Sequence, residues 1–284
     1  MNNSFAPAEV LEKFDSMEKW NTWREQNKNN ETIEYIERVA NSIKTNGITE
    51  PLTENKYPAS AVITKSNNYR ETFRAGTLIS RQRAVLKSLA HMVASDEIAL
   101  TRHTRIYAPE ALTEFAMFMR GRYPLFLGSE FAPTQNDRKR IYPIPHQDLQ
   151  KLTFDDHAFE LIISNDVFEH IPNLDMALRE CSRILSNNGT LVATFPFAYN
   201  KENSMRKAIL TDQKIDYLTA PEYHGNPMDP TGGSLVFEVP AWDILERARS
   251  AGFKESYFFY VSSQKHGILA KDSAGVFVFV AKNG

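Results

Sequence analysis

Apolar residues recur every three or four positions near the start of the chain, at Val10, Leu11, Phe14, Met17, Trp20 and Trp23. That period predicts an amphipathic helix from Ala8-Glu9 onward. A second stretch, Glu31 to Ile43, places Ile33, Ile36, Val39 and Ile43 on one helical face and stops at Asn46-Gly47. Prolines and asparagines interrupt the pattern from Pro51 to Asn68, and a third helix is predicted from Ile79 to about Val93.

From Arg105 the pattern changes to short apolar runs alternating with helical stretches. Arg105–Tyr107, Leu125–Gly128, Ile141–Asp148, Phe159–Ser164, Thr190–Phe195, Tyr257–Val261 and Val276–Val280 predict strands. Phe159–Ser164 carries the apolar run Leu161-Ile162-Ile163, as expected of a parallel strand covered on both faces. The prolines in Ile141–Asp148 fit a strand edge or end. Helices are predicted over Leu112–Met119, Leu174–Leu185 and Trp242–Ala251, with Asn187-Asn188-Gly189 as a left-handed exit from the second. The alternation predicts an α/β fold, doubly wound around a mainly parallel seven-stranded sheet, with an N-terminal helical extension. Residues 1–100 form the extension, a lid or a dimer interface; residues 101–284 form the main domain, with an insertion over about 198–239.

Composition narrows the options. The 284 residues are 42% hydrophobic and 24% charged with a net charge of -2, an ordinary globular balance that argues against a nucleic-acid or anionic-membrane partner. The one dense basic run, Arg138-Lys139-Arg140, reads as a solvated loop. The one cysteine, Cys181, lies in an apolar helical stripe and reads as a core residue rather than a nucleophile. The N-terminus has no signal-peptide core and no run is long enough to span a bilayer, so a cytoplasmic location is expected.

An open parallel sheet binds ligands at the carboxyl ends of its strands, where strand order reverses. The chemistry should therefore follow the strands. Ala108-Pro109-Glu110 follows the first, and Gly128-Ser129-Glu130 follows the second. Glu130 is placed to accept both hydroxyls of a ribose, against the alternative of a loop acid. His146-Gln147-Asp148-Leu149 follows the third segment, and Ser164-Asn165-Asp166-Val167-Phe168-Glu169-His170-Ile171 the fourth. His170 is a general-base candidate or a loop-pinning residue, and Glu169 is a candidate helix cap. In the insertion, Tyr223 and His224 are acceptor-side candidates, with Tyr199 on the same rim.

The stretch from Gln147 to Phe197 resembles the second half of the class I S-adenosylmethionine (SAM)-dependent methyltransferase domain, a Rossmann-like fold. The glycine-rich loop of that family is missing after the first strand. There Ile106-Tyr107-Ala108-Pro109-Glu110 resembles a subset of the superfamily with an Ala-Pro-Glu motif. The resemblance implies SAM as cofactor. It puts Ala108, Pro109 and Glu110 at the methionine end, with Glu110 either paired to the SAM ammonium or simply favouring a helix start. It puts Ser129 and Glu130 at the ribose, Asp148 on the adenine amino group, the Leu149 backbone on the ring, and Asn165 and Asp166 where methionine and acceptor meet. Ser80-Arg81-Gln82-Arg83 resembles the Ser-x-Arg-x-Arg helix that precedes the motif in relatives, so Arg81 and Arg83 either fold over the site or make structural ion pairs. Relatives often carry a zinc ribbon just before it; its cysteines are absent here, so no metal is expected.

The leading expectation is methyl transfer to a small-molecule or glycan acceptor, with His170, His224, Tyr223 and Tyr199 on the acceptor side. Two alternatives stand beside it: a cyclase or lyase of the same fold that releases methylthioadenosine, and a domain that binds SAM or a partner without turnover. A homodimer is left open.

Overall fold

A computed structural model describes residues 9–212 and 214–284. Its main sheet has seven strands, in chain order β1 Glu9–Phe14, β2 Ile106–Ala108, β3 Phe126–Gly128, β4 Phe159–Asn165, β5 Leu185–Thr194, β6 Glu255–Ser263 and β7 Val276–Lys282. In space they run β1-β6-β7-β5-β4-β2-β3. The pairs β2–β3, β2–β4 and β4–β5 are parallel, and β1–β6 is antiparallel. The fold is the expected Rossmann-like α/β arrangement, mostly but not purely parallel. The strand count agrees with the sequence, but the membership differs.

The expected strand over Ile141–Asp148 reduces to two isolated bridges, Glu130↔His146 (parallel) and Asp148↔Lys151 (antiparallel). Pro143 and Pro145 carry no N–H, so the ladder cannot extend there. The seventh strand is instead β1, where the sequence predicted a helix. Val10 and Phe14 turn into the core, and the chain pairs antiparallel with β6 from Glu9↔Ser263 to Phe14↔Phe258. The helix begins only at α1, Met17–Gln26, whose N-cap Ser16 accepts from the Lys19 N–H. Ala8 lies outside the described residues.

The chain divides into two compact units. Among the described residues, the first comprises 9–99 and Tyr257–Phe279, so it also takes in part of the range expected for the main domain. It contains α1, α2 (Ile33–Asn46) and α3 (Ser80–Ala94). Trp20 is fully buried, with its ring 4.9 Å from Tyr260 and 4.8 Å from Phe277. Arg83 is buried as well. Its guanidinium donates to the carbonyls of His266 (2.8 Å), Leu78 (2.7 Å), Phe73 (2.8 Å) and Gly267 (2.6 Å). Arg81 pairs with Glu71 at 2.9 Å. Arg81 thus makes the expected ion pair, whereas Arg83 is held by backbone carbonyls instead.

The second unit comprises Leu100–Ser256 and Val280–Gly284. It holds α4 (Glu114–Arg122), α5 (Gln135–Ile141), α6 (Leu174–Ile184) and α7 (Ile244–Ser250). α4 starts later than predicted because Thr113 caps it, accepting from the Ala116 N–H. Arg138, Lys139 and Arg140 lie in the last turn of α5 rather than in a loop, where cations complement the helix dipole. α6 buries the predicted stripe Leu174, Ala177, Leu178, Cys181 and Ile184, and burial pushes the Cys181 thiol up to about 12.

The expected left-handed exit from α6 does not form. Leu185 is already extended, and a register shift between Leu185 and Thr190 absorbs the turn residues within β5. Gly189 is needed for space: a Cβ there would lie 2.9 Å from Leu185 Cδ2 and from the Ser186 carbonyl oxygen.

The insertion folds as three short antiparallel pairs: Met205–Arg206 with Glu238–Val239, Ala208–Thr211 with Lys214–Tyr217, and Tyr223–His224 with Ser234–Leu235. Arg247 of α7 ties it down, pairing with Asp175 at 2.7 Å and with the buried Glu238. The Phe237 N–H donates to the Glu169 carbonyl at 2.7 Å, which brings the insertion back onto the segment that follows β4.

Candidate functional site

Chain order reverses across the β4-β2-β3 part of the sheet, so the crevice outside the carboxyl ends of β2 and β4 is the fold's ligand-binding position. Glu110 and Asn165 span it. Glu110 is buried, and its Oε1 accepts from the Asn165 backbone N–H at 3.0 Å and from Asn165 Nδ2 at 2.6 Å. The Thr113 hydroxyl donates to Glu110 Oε2 at 3.1 Å. Glu110 therefore locks the loop after β2 to the end of β4. Asp166 follows in the left-handed region (φ 52), its N–H bonded to the Thr194 carbonyl at 2.8 Å.

The loop after β2 is held from its other side by the end of β3. The Ser129 N–H donates to the Ala108 carbonyl at 3.0 Å, and Ser129 Oγ lies 2.8 Å from the Tyr107 hydroxyl. Glu130 Oε1 accepts from the N–H groups of Ala111 and Leu112, both at 2.8 Å. Burial raises the Glu130 pKa above the usual carboxylate value, and these two bonds oppose the shift. Gly128 permits the close approach, since a Cβ would lie 3.0 Å from Ala111 Cα and Cβ. The glycine absent from the first loop thus has a counterpart one strand away, serving loop packing. Pro109 is half-buried at the rim, beside the buried Ala108.

Asp148 Oδ1 accepts from the Gln150 N–H at 2.9 Å, and Leu149 is buried beneath it. Gln147 and Glu130 are joined through the backbone at 3.0 Å, so the Asp148 segment runs beside the Glu130 segment. Acceptor-rich side chains from three strand ends thus line one edge of the unit.

Sequence reasoning missed the centre of the second cluster. Glu169 is not a helix cap; Asn173 caps α6, accepting from the Met176 N–H. Glu169 lies in a short 3-10 turn and is fully buried, with neither carboxylate oxygen hydrogen-bonded among the described residues. Its Oε1 stands 3.4 Å from His224 Nδ1 and 3.6 Å from His170 Nε2. These are ion-pair distances without hydrogen-bond alignment. The two imidazoles stand edge to face, 5.2 Å apart. His170 Nδ1 lies 2.9 Å from the Leu235 carbonyl, and His224 Nε2 lies 3.1 Å from Glu222 Oε1.

Burial drives the Glu169 pKa up, and His224 opposes the rise. The contact with Glu169, followed by that with Glu222, raises His224 to about 9 against its own partial burial. An ionised Glu169 in this setting requires positive charge at its Oε1. The readable signal was the spacing Glu222-Tyr223-His224 at a strand start: residues two apart share a face, so Glu222 accompanies His224.

The remaining candidates are more dispersed. Tyr223 is exposed, with its hydroxyl 3.4 Å from that of Tyr217. Tyr199 is half-buried, and its carbonyl accepts from Trp242 Nε1 at 2.8 Å.

Comparison with known proteins finds similarity over part of the chain. Residues 128–193, from the end of β3 into β5, match a family profile described as a methyltransferase domain. Over 56 residues the chain is 36% identical to malonyl-(acyl-carrier protein) O-methyltransferase of Legionella pneumophila. That match covers 20% of each, so the chain spans about a fifth of the curated relative's length. A SAM-dependent methyltransferase from Mesorhizobium loti overlays at TM-score 0.41 and 13% identity, covering 67% of this chain and 96% of that one. A Haloferax volcanii methyltransferase, solved with the Trm112 activator, gives 0.43 at 13% identity, covering 72% and 92%. The fold is Rossmann-like α/β, an arrangement that binds ligands outside the carboxyl ends of its strands at the switch point. The chain's central segment carries a methyltransferase-domain signature. Among the described residues, no helix is long and apolar enough to cross a membrane.

Proposed function

We propose that this protein is a SAM-dependent methyltransferase acting on a small-molecule or glycan acceptor. The observation that carries this reading is the Glu110–Asn165 link across the switch point, within a sheet whose β3–β5 segment matches a methyltransferase domain. The side-chain chemistry fits the cofactor. SAM offers hydrogen-bond donors and positive charge through its ammonium, adenine amine, ribose hydroxyls and sulfonium. The crevice answers with carboxylates and an amide: Glu110, Glu130, Asp148, Asp166 and Asn165.

In this reading Ala108, Pro109 and Glu110 form the floor for the methionine end, and Asn165 and Asp166 its boundary with the acceptor. Ser129 and Glu130 take the ribose. Glu130 Oε1 is engaged with the Ala111 and Leu112 N–H groups, which fixes the carboxylate and leaves Oε2 as the acceptor. Asp148 and the Leu149 backbone take the adenine. When bound, SAM supplies an electrophilic methyl group, so the chain's own contribution is mostly alignment and exclusion of water. Tyr199, Tyr223, His170 and His224 form the acceptor side, where the His170 imidazole accepts the proton released by a hydroxyl acceptor and His224, raised to about 9, carries positive charge beside Glu169.

Calorimetry with SAM, followed by an acceptor panel read by mass spectrometry, tests the proposal. Binding of SAM with acceptor-dependent formation of S-adenosylhomocysteine is expected. Release of methylthioadenosine from SAM alone would assign the chain to a cyclase or lyase instead, and no SAM binding would remove the reading altogether.

A further inference from the structure

The Glu169 cluster has features that holding a proton does not explain. Three ligand-type atoms, one each from Glu169, His170 and His224, lie within 4.8 Å of one another. The Glu169 carboxylate is fully buried, with no hydrogen bond to either oxygen among the described residues. Two ring nitrogens face its Oε1, at 3.4 and 3.6 Å. Ligands held tetrahedrally at ~2.0–2.2 Å from one ion stand about 3.3–3.6 Å apart, and the two distances match that spacing.

The far side of each ring is also prepared. His170 Nδ1 donates to the Leu235 carbonyl at 2.9 Å, which leaves Nε2 unprotonated toward Glu169 in the neutral ring. His224 Nε2 faces the Glu222 carboxylate at 3.1 Å, which favours the tautomer with Nδ1 unprotonated. A backbone carbonyl behind one imidazole and a carboxylate behind the other is the usual orienting arrangement for histidine ligands. Position is fixed from two directions, because the Phe237 N–H bonds the Glu169 carbonyl and the strand pair Tyr223–His224 with Ser234–Leu235 carries both His224 and the Leu235 carbonyl.

We propose that Glu169, His170 and His224 form a binding site for a divalent transition-metal ion of the zinc class. Two imidazoles and one carboxylate make a borderline nitrogen–oxygen set, which suits zinc and disfavours calcium and magnesium with their demand for oxygen ligands. The set uses no thiolate, so the missing ribbon cysteines do not bear on it. Three protein ligands leave a fourth position for water, the open form of a zinc site. The ion and a proton compete for the same ring nitrogens, and a divalent ion would place two positive charges beside the buried carboxylate where a protonated His224 places one. The inference does not require methyl transfer; where the ion is bound, it replaces the proton-accepting role given to His170 above.

The test uses the full chain, stripped with a chelator, exchanged into chelator-free buffer and titrated with ZnCl2 by calorimetry. One tight equivalent is expected, with a rise in melting temperature. Co2+ in place of Zn2+ should give the intense visible absorption of a four-coordinate nitrogen–oxygen site, a readout that needs no variant. His170→Gln and His224→Gln should each abolish the tight equivalent, with folding checked by circular dichroism. Glu222→Gln, behind the ligand, should weaken binding by about 10–100-fold. Absence of a tight equivalent in the native chain overturns the proposal, as does Zn2+ affinity unchanged in a folded His224→Gln variant, or a weak octahedral Co2+ spectrum.

Discussion

Glu110 and Asn165 are bound twice through the same carboxylate oxygen, at 3.0 Å to the backbone N–H and 2.6 Å to Nδ2. The turn after the first parallel strand is thereby fastened to the end of the fourth without a glycine-rich loop. Glu110→Ala leaves two buried donors on Asn165 without an acceptor. It is expected to cost about 1–3 kcal/mol of stability in denaturant titrations. SAM affinity should fall as well, by at least about tenfold for each 1.4 kcal/mol of lost binding energy, read by calorimetry.

Glu130 separates its two oxygens by task. Glu130→Gln keeps an acceptor for the Ala111 and Leu112 N–H groups but loses the second carboxylate oxygen. SAM binding should weaken by about 10–100-fold, the range of one hydrogen bond to a charged group, with little change in melting temperature. Unchanged SAM affinity in that variant would contradict the ribose assignment.

Gly128 sets how closely the first loop approaches β3. Gly128→Ala would press a methyl group against Ala111 at 3.0 Å. Overpacking of this kind costs about 1–3 kcal/mol, measurable as a lower denaturant midpoint.

Arg83 serves four carbonyl oxygens from one buried guanidinium, and burial lowers its pKa to about 9. An ammonium has fewer donors and no planar fork. Arg83→Lys should destabilise the first unit by about 3 kcal/mol, with Trp20 and Trp23 as fluorescence reporters of its unfolding.

Acid should weaken that same unit. Burial lowers the His266 pKa, so as pH falls the unfolded chain takes up a proton near the ordinary histidine value of ~6.5 before the folded one does. Glu9 acts in the same direction at lower pH. Burial raises its pKa, but Lys87 and Ser263 outweigh that and the net shift is downward, so its contribution is lost as pH falls below the usual carboxylate value. Stability measured between about pH 7.5 and about pH 5 should decline, by at most ~1.4 kcal/mol per pH unit for one proton. His266→Gln should flatten the upper part of that decline.

The sheet from β2 to β5 was legible because parallel strands buried on both faces leave short apolar runs, as in Leu161-Ile162-Ile163 of β4. β1 was not, because Val10, Phe14, Met17 and Trp20 keep a helical spacing while the chain changes from strand to helix at Ser16. Tertiary pairing decided that segment. That Glu110, Glu130 and Asn165 stand at or just after strand ends was legible from the strand pattern, whereas Asp148 follows a segment that forms no strand. Their hydrogen bonds to one another were not legible, since those depend on the relative heights of separate loops. Glu169 was hidden for a similar reason: its surroundings come from an insertion more than fifty residues away, and no local pattern marks such a meeting.

The pairing of β1 with β6 also has a timetable. Ser263 Oγ and Glu9 are bonded across a sequence separation of 254 residues. At about 5–20 residues per second, a ribosome needs roughly ten seconds to a minute to reach the partner of a strand it has already released. Throughout that interval the nascent N-terminal segment waits with its aromatic residues uncovered, and a chaperone has its longest opportunity to act there.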